Sequence, residues 1–336
     1  MFKENQENAH RRYYQIGGVT IQVVADLPMT EATFQPKFKA FEVDGPGEDT
    51  ITISHHFSMP DLKDWDLGDE VYRKVPWTVC RTDSSCIYMG ISEQRFVASR
   101  DLGFRIWCRL RSLWGKSCTQ KEWLTSGAAS LSGEGKVHLL AVATHDHTTV
   151  SIYHKSQKLF SRGNLHSLTL FPTDQIILGR VLADREAFYI HASGLVLDGN
   201  GLLFVGHADA GKTTIVNMLK DKAEILCDDR MIVRRWSDGF KIHGTWSHGD
   251  VSDVSASSAP LKAVLFLEQA HENRLIQIDD TQEALRRLLA CLIKPLVTFE
   301  WWDHILCTVD TMVRGVPLYS LHFDKSGGVV PLLGDL

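Results

Sequence analysis

The stretch HASGLVLDGNGLLFVGHADAGKTTIVNMLK, His191 to Lys220, decides how the second half of this chain is read. An apolar run ending at Val205 is followed by Gly206, four residues, and then Gly211-Lys212-Thr213. A tight turn from a strand into a helix leaves several backbone N–H groups unpaired in one concavity. The helix dipole adds positive potential there, so the turn suits a polyphosphate. Gly206 lets the chain leave the strand and Gly211 lets it approach a phosphate closely. Lys212 reaches the β- and γ-phosphates, and the Thr213 hydroxyl is available to Mg²⁺. The candidate nucleotide-binding run is therefore Gly206, His207, Ala208, Asp209, Ala210, Gly211, Lys212, Thr213 and Thr214. Strand and helix patterns on either side supply the context that the spacing alone lacks.

Asp209 is the anomaly. A carboxylate facing phosphates repels them, and a positive φ at that position costs a non-glycine residue about 1 kcal/mol. Aspartate tolerates such a φ better than most residues do, and its side chain can point to solvent. With Lys212 and Thr213 both in place, the loop is expected to be active but retuned.

Working outward, ILCDDR carries Asp228 and Asp229 16 residues beyond Lys212. Paired aspartates often sit solvated at strand ends. Beside a phosphate loop, however, one can serve Mg²⁺ and the other the accepting hydroxyl. Around these motifs strands and helices interleave. A helix is expected in 172–188, then strands YIHASGLVLD and LLFV, a helix Thr213–Lys220, and a hairpin MIVRRWSDGFKIHG turning at Asp238-Gly239. The run LKAVLFLEQ (261–269) reads as a buried strand. Asp280 and Glu283 frame the helix QEALRRLLACLIK, which Pro295 stops. This alternation argues for an α/β layer architecture.

The first half reads as an antiparallel sheet. VTIQVVA (19–25), TITISHHF (50–57), EQRFVAS (93–99), GFRIWCRL (103–110), VHLLAVAT (137–144) and TVSIYHK (149–155) are short, β-branched and separated by turn signals such as GPGED, DLGD and SGEGK. The whole chain, 336 residues with 44% apolar and 23% charged, is ordinary for a water-soluble globular protein. A net charge of −5 gives no electrostatic reason to expect nucleic acid or an anionic membrane as partner. The N-terminus lacks the apolar core of a signal peptide, and no run is long enough to span a bilayer. Seven cysteines without a CxxC pair read as reduced thiols, so a cytoplasmic location is expected.

Three stretches, HASGLVLDGNGLLFVGHADAGKTT (191–214), ILCDDRMIV (225–233) and HGTWSHGD (243–250), resemble the C-terminal catalytic domain of bacterial HPr kinase/phosphorylase. They look closer still to the HPr-kinase-like proteins of bacterial gene clusters, with the phosphoenolpyruvate carboxykinase fold as the broader relative. The resemblance covers roughly 172–330. It implies a P-loop catalytic domain, 166–336; with the β-rich first half, which no motif places, the expected chain is α/β (α+β) in two domains, the N-terminal one, 1–165, serving acceptor recognition or interaction. It also implies ATP and Mg²⁺ as cofactors. Asp228 would be the general base, Asp229 with Thr213 would serve the metal, and His191 would stabilise charge at the transferring phosphate beside Lys212. His248 and Asp250 match more loosely, on the acceptor side or at a second metal. Where the family has Ser-Gly in the loop, this chain has Ala208-Asp209.

The expected function is transfer of the γ-phosphate of ATP to a hydroxyl of a peptide, a protein or a small molecule; oligomer formation stays open. The rival is a catalytically weak nucleotide-binding module that regulates or docks a partner, with Asp209 as its best support. Other candidates read as structural. His145, His147 and His154 read as solvated turn residues, and His55 and His56 point to opposite strand faces. Trp301 and Trp302 read as core or interface, and Arg286 and Arg287 as a solvated helix face.

Overall fold

In the first half, alternate residues of three strands form one apolar face. Ile21, Val23 and Ala25, then Ile51, Ile53 and His55, then Val150, Ile152 and His154 are all buried. The computed structural model describes residues 9–63, 65–74, 76–91, 137–171, 173–296, 298–334 and 336. The strands expected at 93–99 and 103–110 and the turn at 132–136 lie outside the described residues.

The molecule is mixed α/β, built mostly of strands in two sheets. The first sheet comprises β1 (Arg11–Ile16), β2 (Val19–Ala25), β3 (Glu42–Val43), β4 (Thr50–His56), β5 (Asp69–Lys74), β6 (Trp77–Arg81), β7 (Ser85–Ile91), β8 (Val137–Thr144) and β9 (Thr149–His154). Their order is β3-β1-β2-β4-β9-β8-β7-β6-β5. The expected all-antiparallel pairing is corrected at its centre, because β2–β4 and β4–β9 are parallel. A parallel neighbour needs a crossover, and the 3₁₀ helix Pro36–Phe41 lies on the one between β2 and β4.

Two of the three histidines read as solvated are in fact buried, and only His145 is exposed. His154 Nε2 donates to His55 Nδ1 at 2.9 Å, since His55 Nε2 must donate to the Leu168 carbonyl at 2.8 Å. His147 Nδ1 likewise donates to the His145 carbonyl, leaving Nε2 to accept from the Tyr88 hydroxyl at 2.6 Å.

The second half contributes α1 (Lys158–Arg162), α2 (Gln175–Ala183), β10 (Ala187–Leu197), β11 (Asn200–Val205), α3 (Lys212–Leu219), β12 (Glu224–Cys227), β13 (Arg230–Trp236), β14 (Gly239–His243), β15 (Ser258–Gln269), β16 (Arg274–Gln277), α4 (Thr281–Cys291), α5 (Phe299–Gly315), β17 (Leu318–Phe323) and α6 (Val329–Gly334). The second sheet runs β11-β10-β13-β14-β15-β17-β16, with β12 beside β10. A further parallel pairing of β11 with β15 closes a circuit through β10, β13 and β14. Because β11, β15 and β17 run parallel, their carboxyl ends emerge together, and α3 starts there. Asp280 caps α4 as expected, accepting from the amides of Gln282 and Glu283, but the helix ends at Cys291, before Pro295. Trp301, on the apolar face of α5, is buried and donates to the Gly179 carbonyl at 3.1 Å.

One hydrophobic cluster includes Tyr14, Phe38 and Phe41 from the first half and Ile232, Trp246 and Leu296 from the second. Polar contacts follow the same seam: Arg185 grips Asp49 at 2.6 and 2.8 Å, and Arg81 forms a two-pronged pair with Glu300. The Gly17-Gly18 turn between β1 and β2 sits against the Trp236 ring, where a Cβ on Gly18 would come within 2.6 Å. No helix among the described residues is long and apolar enough to cross a membrane.

Candidate phosphate loop and strand-end carboxylates

The turn from β11 into α3 has the geometry its sequence asks for. The Lys212 ammonium folds back to donate to the carbonyls of Gly206 at 3.0 Å and His207 at 2.8 Å, so its charge lies over the hollow of the loop. At the helix start Ile215 N–H donates to the Gly211 carbonyl at 3.0 Å. The amides of Lys212, Thr213 and Thr214 therefore have no intrahelical acceptor and mark the positive end of the dipole. Gly211 has φ +101°, and a Cβ there would meet the Phe323 ring at 2.5 Å. That glycine is thus required by the floor of the loop, not only by access for a ligand.

Asp209 does adopt the left-handed conformation, φ +63°, with its carbonyl accepting from Gln269 Nε2 at 2.7 Å. His207, Ala208 and Asp209 are exposed, while Ala210 to Thr214 are half-buried. Asparagine tolerates this backbone as aspartate does, so Asp209→Asn isolates the charge. The exchange is expected to tighten Mg–ATP binding about threefold at low salt, the gain vanishing near 1 M salt. Calorimetry at both salt concentrations is the check.

Sequence reasoning treated Asp228 and Asp229 as two functional carboxylates, with Asp228 as base. Their surroundings differ. Asp228 is 2% exposed, and its oxygens accept from the backbone amides of Gly249 and, at 2.9 Å, Val251. Both are already engaged in holding the loop after β14, so Asp228 is poorly placed to take a proton from an acceptor. Asp229 is half-buried, 3.7 Å from His191 Nδ1 and 3.2 Å from Arg230 Nε. Burial works against its ionisation, but His191, Arg230 and Lys212 outweigh that and hold its carboxyl below the usual range. Adjacent residues leaving a strand point to opposite sides. That rule, applied to the sequence, would have separated the two.

His191 and Arg230 are directly paired across β10 and β13, which puts both side chains on one face. His248 and Asp250 are exposed in the loop after β14, and His248 Nδ1 donates to the Gly249 carbonyl. Arg287 is not a free solvated cation. It binds Glu268 at 2.6 Å and Glu283 at 2.6 Å, beside Ser320 and His322 at the ends of β15 and β17. A separate cleft of about 640 Å³ opens on the first sheet between Trp65, Arg81 and Val142, but no loop residue lines it. Residues that sequence reasoning missed are Arg230, which follows the aspartates directly, and Trp246, which meets Phe38 and Phe41 only through tertiary packing.

The residues at the loop fit a magnesium-bound nucleotide: a lysine over the hollow, free helix-start amides, the Thr213 hydroxyl and an ionised carboxylate facing them. No curated protein matches the sequence. Among solved structures, that of the Hpr(Ser) kinase/phosphatase from Coxiella burnetii aligns over 44% of this chain and 86% of that chain, with 15% identity and a TM-score of 0.26. A likeness that loose says nothing of chemistry. Residues 173–330, just under half the chain, are similar to the family described as SynChlorMet cassette protein ScmC.

Proposed function

We propose that this chain is a kinase that transfers the γ-phosphate of ATP to an alcohol, with residues 166–336 as the catalytic domain and the β-rich part, 1–165, presenting the acceptor. The observation that carries the reading is Lys212, folded over the loop, within the field of Asp229, whose carboxyl it helps to hold below the usual range. The amides of the Gly206–Thr214 run and Lys212 hold the β- and γ-phosphates. Thr213 would hold Mg²⁺, which, when bound, would offset negative charge on the phosphates.

Asp229, oriented by His191, takes the proton of the acceptor hydroxyl. The acceptor oxygen then bonds to the γ-phosphorus while the bond from that phosphorus to the β,γ-bridging oxygen breaks, its electron pair leaving on ADP. The work is positioning and charge neutralisation rather than covalent catalysis by the protein. Asp228 acts indirectly, by fixing the loop that walls the acceptor side.

Label transfer from γ-labelled ATP into candidate peptides and small alcohols tests this. Asp229→Asn is expected to lower transfer by about a thousandfold while ATP remains bound, a loss on the scale of a removed catalytic group. Asp228→Asn is expected to lower the unfolding midpoint, because one of two loop amides loses its charged acceptor. Transfer that survives Asp229→Asn at full rate would remove Asp229 from the mechanism. Binding of ATP with no transfer into any acceptor would favour the nucleotide-binding regulatory module instead, for which Asp209 in the loop is the supporting observation.

A further inference from the structure

Asp229 is aimed by its main chain. Its carboxyl approaches His191 Nδ1 at 3.7 Å and Arg230 Nε at 3.2 Å. Among the described residues it accepts no backbone amide, whereas the Asp228 carboxyl accepts two. Asp228 and Asp229 are the whole connection between β12 and β13. The four main-chain groups from the Asp228 carbonyl to the Arg230 amide therefore decide where the Asp229 side chain points. All four are partnered. On the β10 side, the Asp228 carbonyl accepts from Ser193 Oγ at 3.1 Å and the Asp229 carbonyl accepts from the Ala192 amide at 3.2 Å. On the other side, the amides of Asp229 and Arg230 both donate to a single atom, Cys227 Sγ, at 3.4 and 3.5 Å.

A side chain that accepts amides two and three residues ahead is ordinarily that of Asp, Asn, Ser or Thr. A thiol sulfur is a weaker acceptor. Here it is enclosed, since Cys227 and Ser193 are both fully buried, and no water competes for the two amides. Burial raises the Cys227 pKa, with the amides of Asp229 and Arg230 opposing the shift, so the thiol keeps its proton. That proton goes to the Ser247 carbonyl, which leaves the sulfur lone pairs to the amides. Ser247 belongs to the segment after β14 whose amides at Gly249 and Val251 are held by Asp228. One sulfur thus ties the turn that carries Asp229 to that segment. An enclosed, protonated thiol is inert as a nucleophile, so its part is played through these bonds.

We propose that Cys227 is a positioning residue, its sulfur holding the Asp229–Arg230 turn so that the Asp229 carboxyl keeps its place beside His191. The proposal deepens the kinase reading and rests on it for the step that Asp229 performs; the hold on the turn does not. Without the sulfur, two buried amides lose their acceptor, the turn shifts to find others, and the Asp229 carboxyl moves with it. A misplacement of about 1 Å at a reacting group can cost as much as a hundredfold in rate.

The test measures transfer from γ-labelled ATP, by the full chain, into the same panel of peptides and small alcohols. Cys227→Ala and Cys227→Val both remove the acceptor, and valine refills the volume of the thiol should the alanine chain fail to fold. Each is expected to lower kcat about thirtyfold with the KM for ATP unmoved, and Cys227→Ser, which restores an acceptor, to recover most of the loss. A residue that served stability alone would lower the urea midpoint and leave kcat of the folded chain at the parent value; that result overturns the proposal. In an Asp229→Asn chain, Cys227→Val should cost nothing further, because the group it positions is already gone. A further thirtyfold loss there also overturns it. If the parent chain labels no acceptor, the kinase reading falls, and amide hydrogen exchange decides the turn by itself. Protection of the Asp229 and Arg230 amides that drops about tenfold in Cys227→Val and returns in Cys227→Ser supports the hold; unmoved protection refutes it.

Discussion

Replacing Lys212 with alanine is expected to weaken Mg–ATP binding by at least a hundredfold and to leave the fold intact. The ammonium now donates to two loop carbonyls, those of Gly206 and His207, and among the described residues forms no ion pair. A triphosphate entering the hollow exchanges those neutral acceptors for charged ones, each worth about 1.5–3 kcal/mol. Losing two such bonds corresponds to a hundredfold or more. The His207 carbonyl it leaves is exposed and only that of buried Gly206 loses a sheltered partner, so the unfolding midpoint without nucleotide should fall only slightly. Arginine at 212 is expected to fare almost as badly, since its planar fork cannot place a point charge between phosphates. Calorimetric titration of parent and variants reads the effect directly. A Lys212→Ala chain that binds like its parent would detach the loop from any functional role.

The second large effect is on stability in mild acid. His55 is held down to about 3, and His147, His154 and His243 to about 4, in every case chiefly by burial. Hydrogen bonding reinforces this for the pair: His55 donates to the Leu168 carbonyl and accepts from His154, so a second proton on His55 would face a donor. In the unfolded chain each ring titrates near 6.5. A folded pKa below the unfolded one means that the unfolded state binds more protons. The stability contribution is therefore full above pH 6.5 and is lost as pH falls toward 4. Each ring loses roughly 1 kcal/mol per pH unit in that window, so the four together cost several kcal/mol by pH 5. Asp174 and Asp184, both raised chiefly by burial, shift the balance the other way, two groups against four. Urea midpoints at pH 7, 6 and 5 test this; a flat profile would mean the rings are not neutral and enclosed. His154→Phe, stacked on Phe57 as His154 is, should make the profile shallower.

Much of the candidate site was legible because its signals are local. Gly206, Gly211, Lys212 and Thr213 carry their chemistry in their spacing, and Asp280 caps its helix from its own next turn. Strands β2, β4, β8 and β9 followed from alternation within single segments. What depends on distant partners was not legible. Period-two alternation is the same for parallel and antiparallel neighbours, so the pairing of β2, β4 and β9 could not be foreseen. The β6–β7 hairpin, Trp77–Arg81 with Ser85–Ile91, passed unread although its second strand is a run of apolar residues. Histidine suits water and core alike, and only the Leu168 carbonyl and the Tyr88 hydroxyl make His55 and His147 interior residues. The surroundings of Asp228 and Asp229 part because the amides at 249 and 251 come back to one and not the other.

The segment after β14 is moored twice, by Asp228 to the end of β12 and by Trp246 to the aromatic pair Phe38 and Phe41. A lesion at Phe38, more than 170 positions upstream of Lys212 in the chain, would thus behave as damage to the segment that Asp228 holds. Grafting a foreign first half onto this second half would have to reproduce that mooring before any choice of acceptor could be transplanted with it.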